Sequence, residues 1–276
     1  MTHEHEPFDE QDEAPETRVF STEIPPAVQR VLDEESQRRS HVVIALSGSH
    51  AYGFPSPDSD YDLKAVHVAT SNELLGLLEP RLVFDRLEKI QGVEIDYTSN
   101  EIHPVLVGLL KGNGNYFERF LGPIMLRTSP ELFEIQTLVK RTLSRRVFHH
   151  YRGFASGQKK ELEKPEGRTS KKLLYVLRTA LTGTHLLKTG EMLVDLSRLA
   201  EAHDVPGVKS LIEAKRAGER TLLSDTDLAR WSTVVDGVMT NLEQAHATSV
   251  LPAEPSTQAE LESWLIALRK RSFNES

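Results

Sequence analysis

The sequence predicts an α+β protein: a small sheet with flanking helices, followed by an all-helical domain. Three observations carry this. Short β-branched or alternating runs stand at 41–46, 63–68 and 92–98. Glycine-containing turns interrupt the same half of the chain, at Gly48-Ser49 and at Gly112-Asn113-Gly114. Beyond about residue 142 the apolar residues recur only at helical spacing.

The chain has 276 residues, enough for one large or two modest domains. The expected division is a disordered acidic tail at 1–20, a first domain at 21–145 and a helical domain at 146–276. The tail is dense in acids, among them Glu4, Glu6, Asp9, Glu10 and Asp12. There is no cysteine, which excludes disulfides, thiolate zinc sites and thiol nucleophiles. A net charge of −8 argues against broad, non-specific nucleic-acid binding, though not against a local basic patch. No apolar run approaches the length of a membrane span, and the N-terminus lacks the regions of a signal peptide. The expected location is cytoplasmic, with no membrane partner; oligomeric state is not readable.

In chain order, Pro25-Pro26 open a helix to about Arg39, with Val28, Val31 and Leu32 as its face. The strand at 41–46 ends in the turn Gly48-Ser49, and the strand at 63–68 follows Asp60 and Asp62. Ser71 is expected to cap a short helix through Leu78. Strands follow at 82–87 and 92–98; in the second, Val93, Ile95 and Tyr97 alternate with Glu94, Asp96 and Thr98. Ser99-Asn100 are expected to cap a helix to about Lys111, and a short helix carrying Tyr116, Glu118 and Arg119 comes next. Helices are then expected at about 130–143, 144–162 and 170–187, the last capped by Thr169 or Ser170 and closed by Gly190. Two short helices fill 195–217, a long one 226–247, and Ser256 or Thr257 caps the last.

The chemistry concentrates at residues 48–62. Side chains two apart on a strand share a face, so Asp60 and Asp62 point the same way. Adjacent carboxylates repel unless protonated or bridged by a cation, and Mg²⁺ is held by one or two carboxylates plus substrate phosphates. A calcium loop starting at Asp58 fails, because its sixth and twelfth positions are Leu63 and Ala69. On the predicted helix 170–187, Lys171, Tyr175, Arg178, Thr182 and His185 form one polar stripe. That stripe suits a cleft wall facing a triphosphate and equally an ordinary exposed face. The basic cluster Lys159, Lys160, Lys164, Arg168, Lys171 and Lys172 reads either as a contact for RNA or triphosphate or as a solvated turn.

The pattern Gly48-Ser49, Tyr52-Gly53 and Ser59-Asp60-x-Asp62 resembles the signature of the DNA polymerase β-type nucleotidyltransferase superfamily, and within it the predicted nucleotidyltransferases linked to RNA repair. Residues 111–118 and the run from Lys171-Lys172 to Tyr175 and Arg178 support it, over roughly 41–190. Gly114 stands where that group usually has proline. The resemblance implies a small mixed sheet of the polymerase β type. It implies a third carboxylate on a strand beside the Asp-x-Asp pair, matched by Asp96 with Glu94 as the alternative. It implies metal ligation by Asp60, Asp62 and Asp96, with two Mg²⁺ ions or Mn²⁺ in their place. Gly48, Ser49, Tyr52, Lys171, Tyr175 and Arg178 would bind an NTP such as ATP. The implied reaction transfers NMP to an acceptor hydroxyl and releases pyrophosphate, with an RNA 3′-end as the first choice of acceptor. The alternatives are a tRNA- or protein-directed transferase of toxin–antitoxin type and a non-catalytic NTP-binding sensor on the same fold. Glu118 is expected to fix its turn or a neighbouring basic group rather than take part in chemistry.

Overall fold

The fold is that of a computed structural model describing residues 24–216 and 222–274; the expected acidic tail at 1–20 lies outside the described residues. Five strands make one mixed sheet: β1 (Ser40–Ser47), β2 (Tyr61–Val68), β3 (Val83–Ile90), β4 (Val93–Glu101) and β5 (Met125–Thr128). Their spatial order is β3-β4-β2-β1-β5. β2 and β4 run parallel, and the other neighbours are antiparallel.

One face of the sheet is covered by α1 (Pro26–Arg38), which opens on proline at its first position. Ala27, Val28, Val31 and Leu32 pack there on Ile44, Leu46, Leu63, Ala65, Ile95 and Tyr97. These strand residues alternate along their chains, so the opposite face is left to Val43, Ala45 and Val66 and, further along, to Asp62 and Lys64. That second face carries α4 (Ile102–Leu110), α5 (Gly114–Leu121) and α6 (Pro130–Arg141).

Three local expectations are corrected. Thr70, not Ser71, caps the helix after β2: its hydroxyl accepts from Glu73 N–H while the Glu73 carboxylate reaches back to Thr70. That helix, α3 (Ser71–Leu75), stops at Gly76 rather than Leu78. Ser99 and Asn100 do not cap a helix but continue β4, pairing with Ala65 and Val66 of β2. The cap of α4 falls to Glu101, whose carboxylate accepts from His103 N–H at 2.7 Å. β5 was not expected. It is four residues long, directly follows Gly122-Pro123, and exists because β1 offers it an edge.

The second half is helical: α7 (Val147–Glu163), α8 (Ser170–Thr189), α9 (Leu196–Ala202), α10 (Val208–Arg216), α11 (Asp225–Ala247) and α12 (Gln258–Asn274). α8 is the axis of this half, packed against α7, α9, α10 and α11. It is capped by Thr169 and ends on Gly190 at φ 75°, a conformation that favours glycine. The expected division at 145/146 falls in the connection between α6 and α7, and one apolar core runs across it from Val42 to Leu268. α12 returns to the sheet, where the Arg269 guanidinium pairs with buried Glu101 and donates to Ala69 O. No described helix is long and apolar enough to cross a membrane.

Candidate active site

The site begins at the end of β1. Ser47 is the last strand residue, and Gly48 enters a single helical turn, α2 (Gly48–Ala51), at φ 65°. A Cβ at Gly48 would fall 1.8 Å from Asp62 Oδ2, so only glycine lets the turn lie against that carboxylate. The Ser47–Asp62 register across β1 and β2 sets this contact.

Asp62 faces Asp96 directly on the neighbouring parallel strand. Glu94, the alternative third carboxylate, is two pairs further along and faces Lys89 of β3. Asp60 lies just before β2, close enough to act on Asp62 electrostatically. Burial pushes the Asp62 carboxyl up to about 6; Asp60 and Asp96 add to the shift, and Lys64 opposes it. Lys64, two residues on and on the same face, donates to Asp96 Oδ2 at 2.8 Å and stands 3.6 Å from Asp62 Oδ1. Its ammonium thus lies between the two carboxylates, where a bridging cation would be held. As placed, no three His, Cys, Asp or Glu side chains among the described residues converge as a metal-ligand group.

The cleft next to these carboxylates has a volume of about 250 Å³. Ser47, Gly48, Asp62 and Lys64 form one wall, and Tyr175, Arg178 and Thr179 of α8 form another. Ser47 takes the place expected for Ser49: Ser47 lines the cleft, whereas the Ser49 hydroxyl is buried with no hydrogen-bond partner among the described residues. Tyr52 is buried beneath the site. Its hydroxyl shares a hydrogen bond with Ser47 Oγ at 3.0 Å and donates to Glu118 Oε2 at 3.1 Å.

Arg178 is not a freely projecting phosphate ligand. Its guanidinium pairs with Glu118 at 2.8 Å, both side chains being under a tenth exposed, and lies 3.7 Å over the Tyr52 ring. Burial opposes its charge, and Glu118 more than restores it. Tyr151 of α7 also donates to Glu118, at 3.2 Å. Glu118 therefore fixes a basic group, as the sequence suggested. Tyr175 stands at the cleft with its ring edge-on to Tyr52 and Phe54. Lys171 is outside the cleft lining, near Asp58, whose carboxyl it helps hold low. The polar stripe is split, because α8 is surrounded: Thr182 is fully buried, and the His185 ring meets His203.

Asn113 caps α5, and Gly114 is its first residue, the position that favours proline. Gly114 fits here because His150 and Tyr151 fill the space a side chain would need. Of the basic cluster, Lys159 pairs with Asp236, Lys164 with Glu161 and Arg168 with Asp225. Two groups went unseen in the sequence. Lys64 had a readable signal, its spacing from Asp62. The α7 residues Phe154 and Gln158, which also line the cleft, had none, because only the packing of α7 on α8 brings them there.

Comparison with known proteins agrees with this geometry. Residues 24–267 match a family described as the RNA repair pathway DNA polymerase beta family, RlaP. The uncharacterized protein MJ0002 of Methanocaldococcus jannaschii is 30% identical over 177 residues, 63% of this chain and 72% of that protein. The uncharacterized protein YcgL of Bacillus subtilis is 30% identical over 210 residues, 69% of this chain and 77% of that one. A solved nucleotidyltransferase-like protein from Exiguobacterium sibiricum overlaps 89% of this chain and 79% of its own at 11% identity, with a TM-score of 0.33, a loose likeness.

Proposed function

The chain belongs to the RlaP family, the RNA repair pathway DNA polymerase beta family, and on that membership we propose that it transfers a nucleoside monophosphate from an NTP to an acceptor hydroxyl, releasing pyrophosphate. The observation that carries this reading is the facing pair Asp62 and Asp96, with Gly48 pressed against one carboxylate and a cleft beside it.

The donor set fits hard divalent cations, Mg²⁺ or Mn²⁺. Burial first, then the neighbouring Asp60 and Asp96 carboxylates, raise the Asp62 pKa, an environment that a cation would relieve. Asp60, Asp62 and Asp96 would hold the cations once the Lys64 ammonium has swung aside. When bound, such ions activate the attacking oxygen and neutralise charge on the leaving pyrophosphate. Gly48 and the one-turn helix it opens offer backbone N–H groups to the phosphates, with the Ser47 hydroxyl beside them. Asp96 accepts the proton of the acceptor hydroxyl. Lys64, released from Asp96, remains within reach of the phosphate charge. The Glu118–Arg178 pair holds Tyr52 and α8 in place, so the walls are preorganised; positioning and charge stabilisation are most of what phosphoryl transfer asks of a protein.

For the acceptor we propose an RNA 3′-end, on the family's description. The paired state of Lys159, Lys164 and Arg168 favours keeping a second reading, transfer to a protein hydroxyl. The test is incubation with each α-labelled NTP, Mg²⁺ and total RNA on a denaturing gel, beside Asp62→Asn. We expect label on RNA, reduced by orders of magnitude in the variant, with an unchanged circular dichroism spectrum. Label on protein instead would move the acceptor to a polypeptide. Full turnover by Asp62→Asn would remove Asp62 from the chemistry, and no label from wild type with NTP binding intact would leave the sensor reading.

A further inference from the structure

One face of α7 carries three residues one helical turn apart, His150, Phe154 and Gln158, and the last two line the cleft. Phe154 is 48% exposed and lines the cleft. Its lower ring face is supported by His150, stacked at 4.9 Å between centroids and 27° between planes. A half-exposed ring braced from behind by a second ring is a platform for a third. Burial keeps His150 on the neutral side, so the stack presents a π face rather than a cation.

Gln158 lines the same cleft, and its amide oxygen is buried with no hydrogen-bond partner among the described residues. A buried acceptor left without a donor costs roughly 1–3 kcal/mol, so such an atom calls for a ligand that donates to it. Whichever way the amide is turned, it offers one donor and one acceptor side by side. Adenine and cytosine both offer the complement, an exocyclic amino group next to a ring nitrogen; glutamine pairs with adenine's edge in a bidentate manner, and adenine's larger ring system covers more of Phe154. Tyr175 stands on the α8 wall of the same cleft, near enough to Asp62 for that carboxylate to push its hydroxyl pKa up, after burial. The α7 face and the Asp62 carboxylate thus belong to one cavity, with the base end on α7 and the phosphate end at Gly48.

We propose that His150, Phe154 and Gln158 form the nucleobase subsite and that the base it takes is adenine, making ATP the donor. This rests on the transferase reading, because it is the nucleotide placed at Gly48 and Asp62 whose base reaches α7. Phe154 supplies stacking, stronger for the larger purine ring, and Gln158 favours an amino-bearing edge; together they favour adenine.

The test is calorimetric titration of the full chain, with Mg²⁺, by the α,β-methylene analogues of ATP, GTP, CTP and UTP, and by inorganic tripolyphosphate. All four analogues should bind tighter than tripolyphosphate, and the ATP analogue about tenfold tighter than the other three. Phe154→Ala should weaken all four nucleotides about tenfold and leave tripolyphosphate unchanged. Gln158→Leu should erase the preference for ATP while keeping general nucleotide affinity. Wild-type affinity in both variants, or tripolyphosphate binding as tightly as the nucleotides, would overturn the base subsite and leave the transferase reading standing. A preference for another base would overturn the adenine assignment. If neither nucleotides nor tripolyphosphate bind, the phosphate site fails, and the base subsite fails with it. Phe154 is half exposed, so its truncation tests the site without opening the core.

Discussion

At the scale of single residues, the centre of the site is a contest for one position. Lys64 holds the place between Asp62 and Asp96 that the proposed mechanism gives to a divalent cation. A lysine there stabilises the carboxylates without metal and must move for metal to enter. Lys64→Met should therefore lower stability in chelator by roughly 1–2 kcal/mol, since it removes a charge-assisted hydrogen bond from a partly buried cluster. It should also raise the response to Mg²⁺: the thermal midpoint of the variant climbs steeply with millimolar Mg²⁺, while that of the wild type climbs less. Identical Mg²⁺ responses would mean that Lys64 and the cation do not share a place. The sequence placed Asp60 and Asp62 on one strand face, but β2 begins at Tyr61, so only Asp62 is a strand residue and Asp60 lies just before it. Asp96 was legible only through the family pattern; its register opposite Asp62 depends on β2 and β4 being parallel neighbours, which spacing alone does not dictate. Ser47 and Ser49 were exchanged for a similar reason. One residue of difference in where the strand ends decides which hydroxyl faces the cleft.

At the scale of elements, Glu118 is a clasp. It sits on α5 and receives Tyr52 from behind the motif turn, Tyr151 from α7 and Arg178 from α8. An exposed ion pair is worth under about 1 kcal/mol, but removing one partner of a buried pair leaves the other charge stranded, at about 3–5 kcal/mol. Glu118→Gln keeps the shape and some hydrogen bonding and loses the charge. It should cost about 3 kcal/mol in chemical denaturation and loosen the α8 wall, raising the KM for NTP more than it lowers kcat. A loss under 1 kcal/mol would show that Arg178 is solvated in solution. Most element positions were legible, because strands 41–46 and 92–98 and the long helices have strong periods. The misses share a cause. Ser99-Asn100 looks like a cap but is drawn into β4 by pairing with β2, and β5 forms only because β1 has a free edge. The polar stripe on α8 is divided by its surroundings: Tyr175 and Arg178 reach the cleft wall, Arg178 held in a buried pair with Glu118, while Thr182 is buried in the bundle, and α7 adds a second aromatic, Phe154.

At the scale of the molecule, the sheet's β1–β2–β4 layer and α12 meet around buried His67 and half-buried His41, and their neutrality sets a pH limit. His41 shares a hydrogen bond with Tyr97 and lies near Arg39, Glu35 and His67. His67 bonds Ser99 and lies near Glu101, Glu73, Arg39 and Arg269. Burial pushes both down to about 4, from an ordinary 6.5. The unfolded chain takes up protons below pH 6.5 that the folded chain refuses until about pH 4, so stability falls across that window as pH falls. Asp62 works the other way. Its carboxyl is raised to about 6, so the folded chain protonates it first and regains stability over part of the same range. The net loss between pH 7 and pH 5 should be about 2 kcal/mol, read from the urea midpoint. His67→Asn separates the two effects: asparagine can keep the Ser99 bond without titrating, so most of the net loss should disappear while the Asp62 contribution stays. A loss that His67→Asn leaves unchanged would place the acid sensitivity outside this histidine layer. One apolar core runs from β1 to α12, so the urea transition that reports this should be a single one, shifting as a whole.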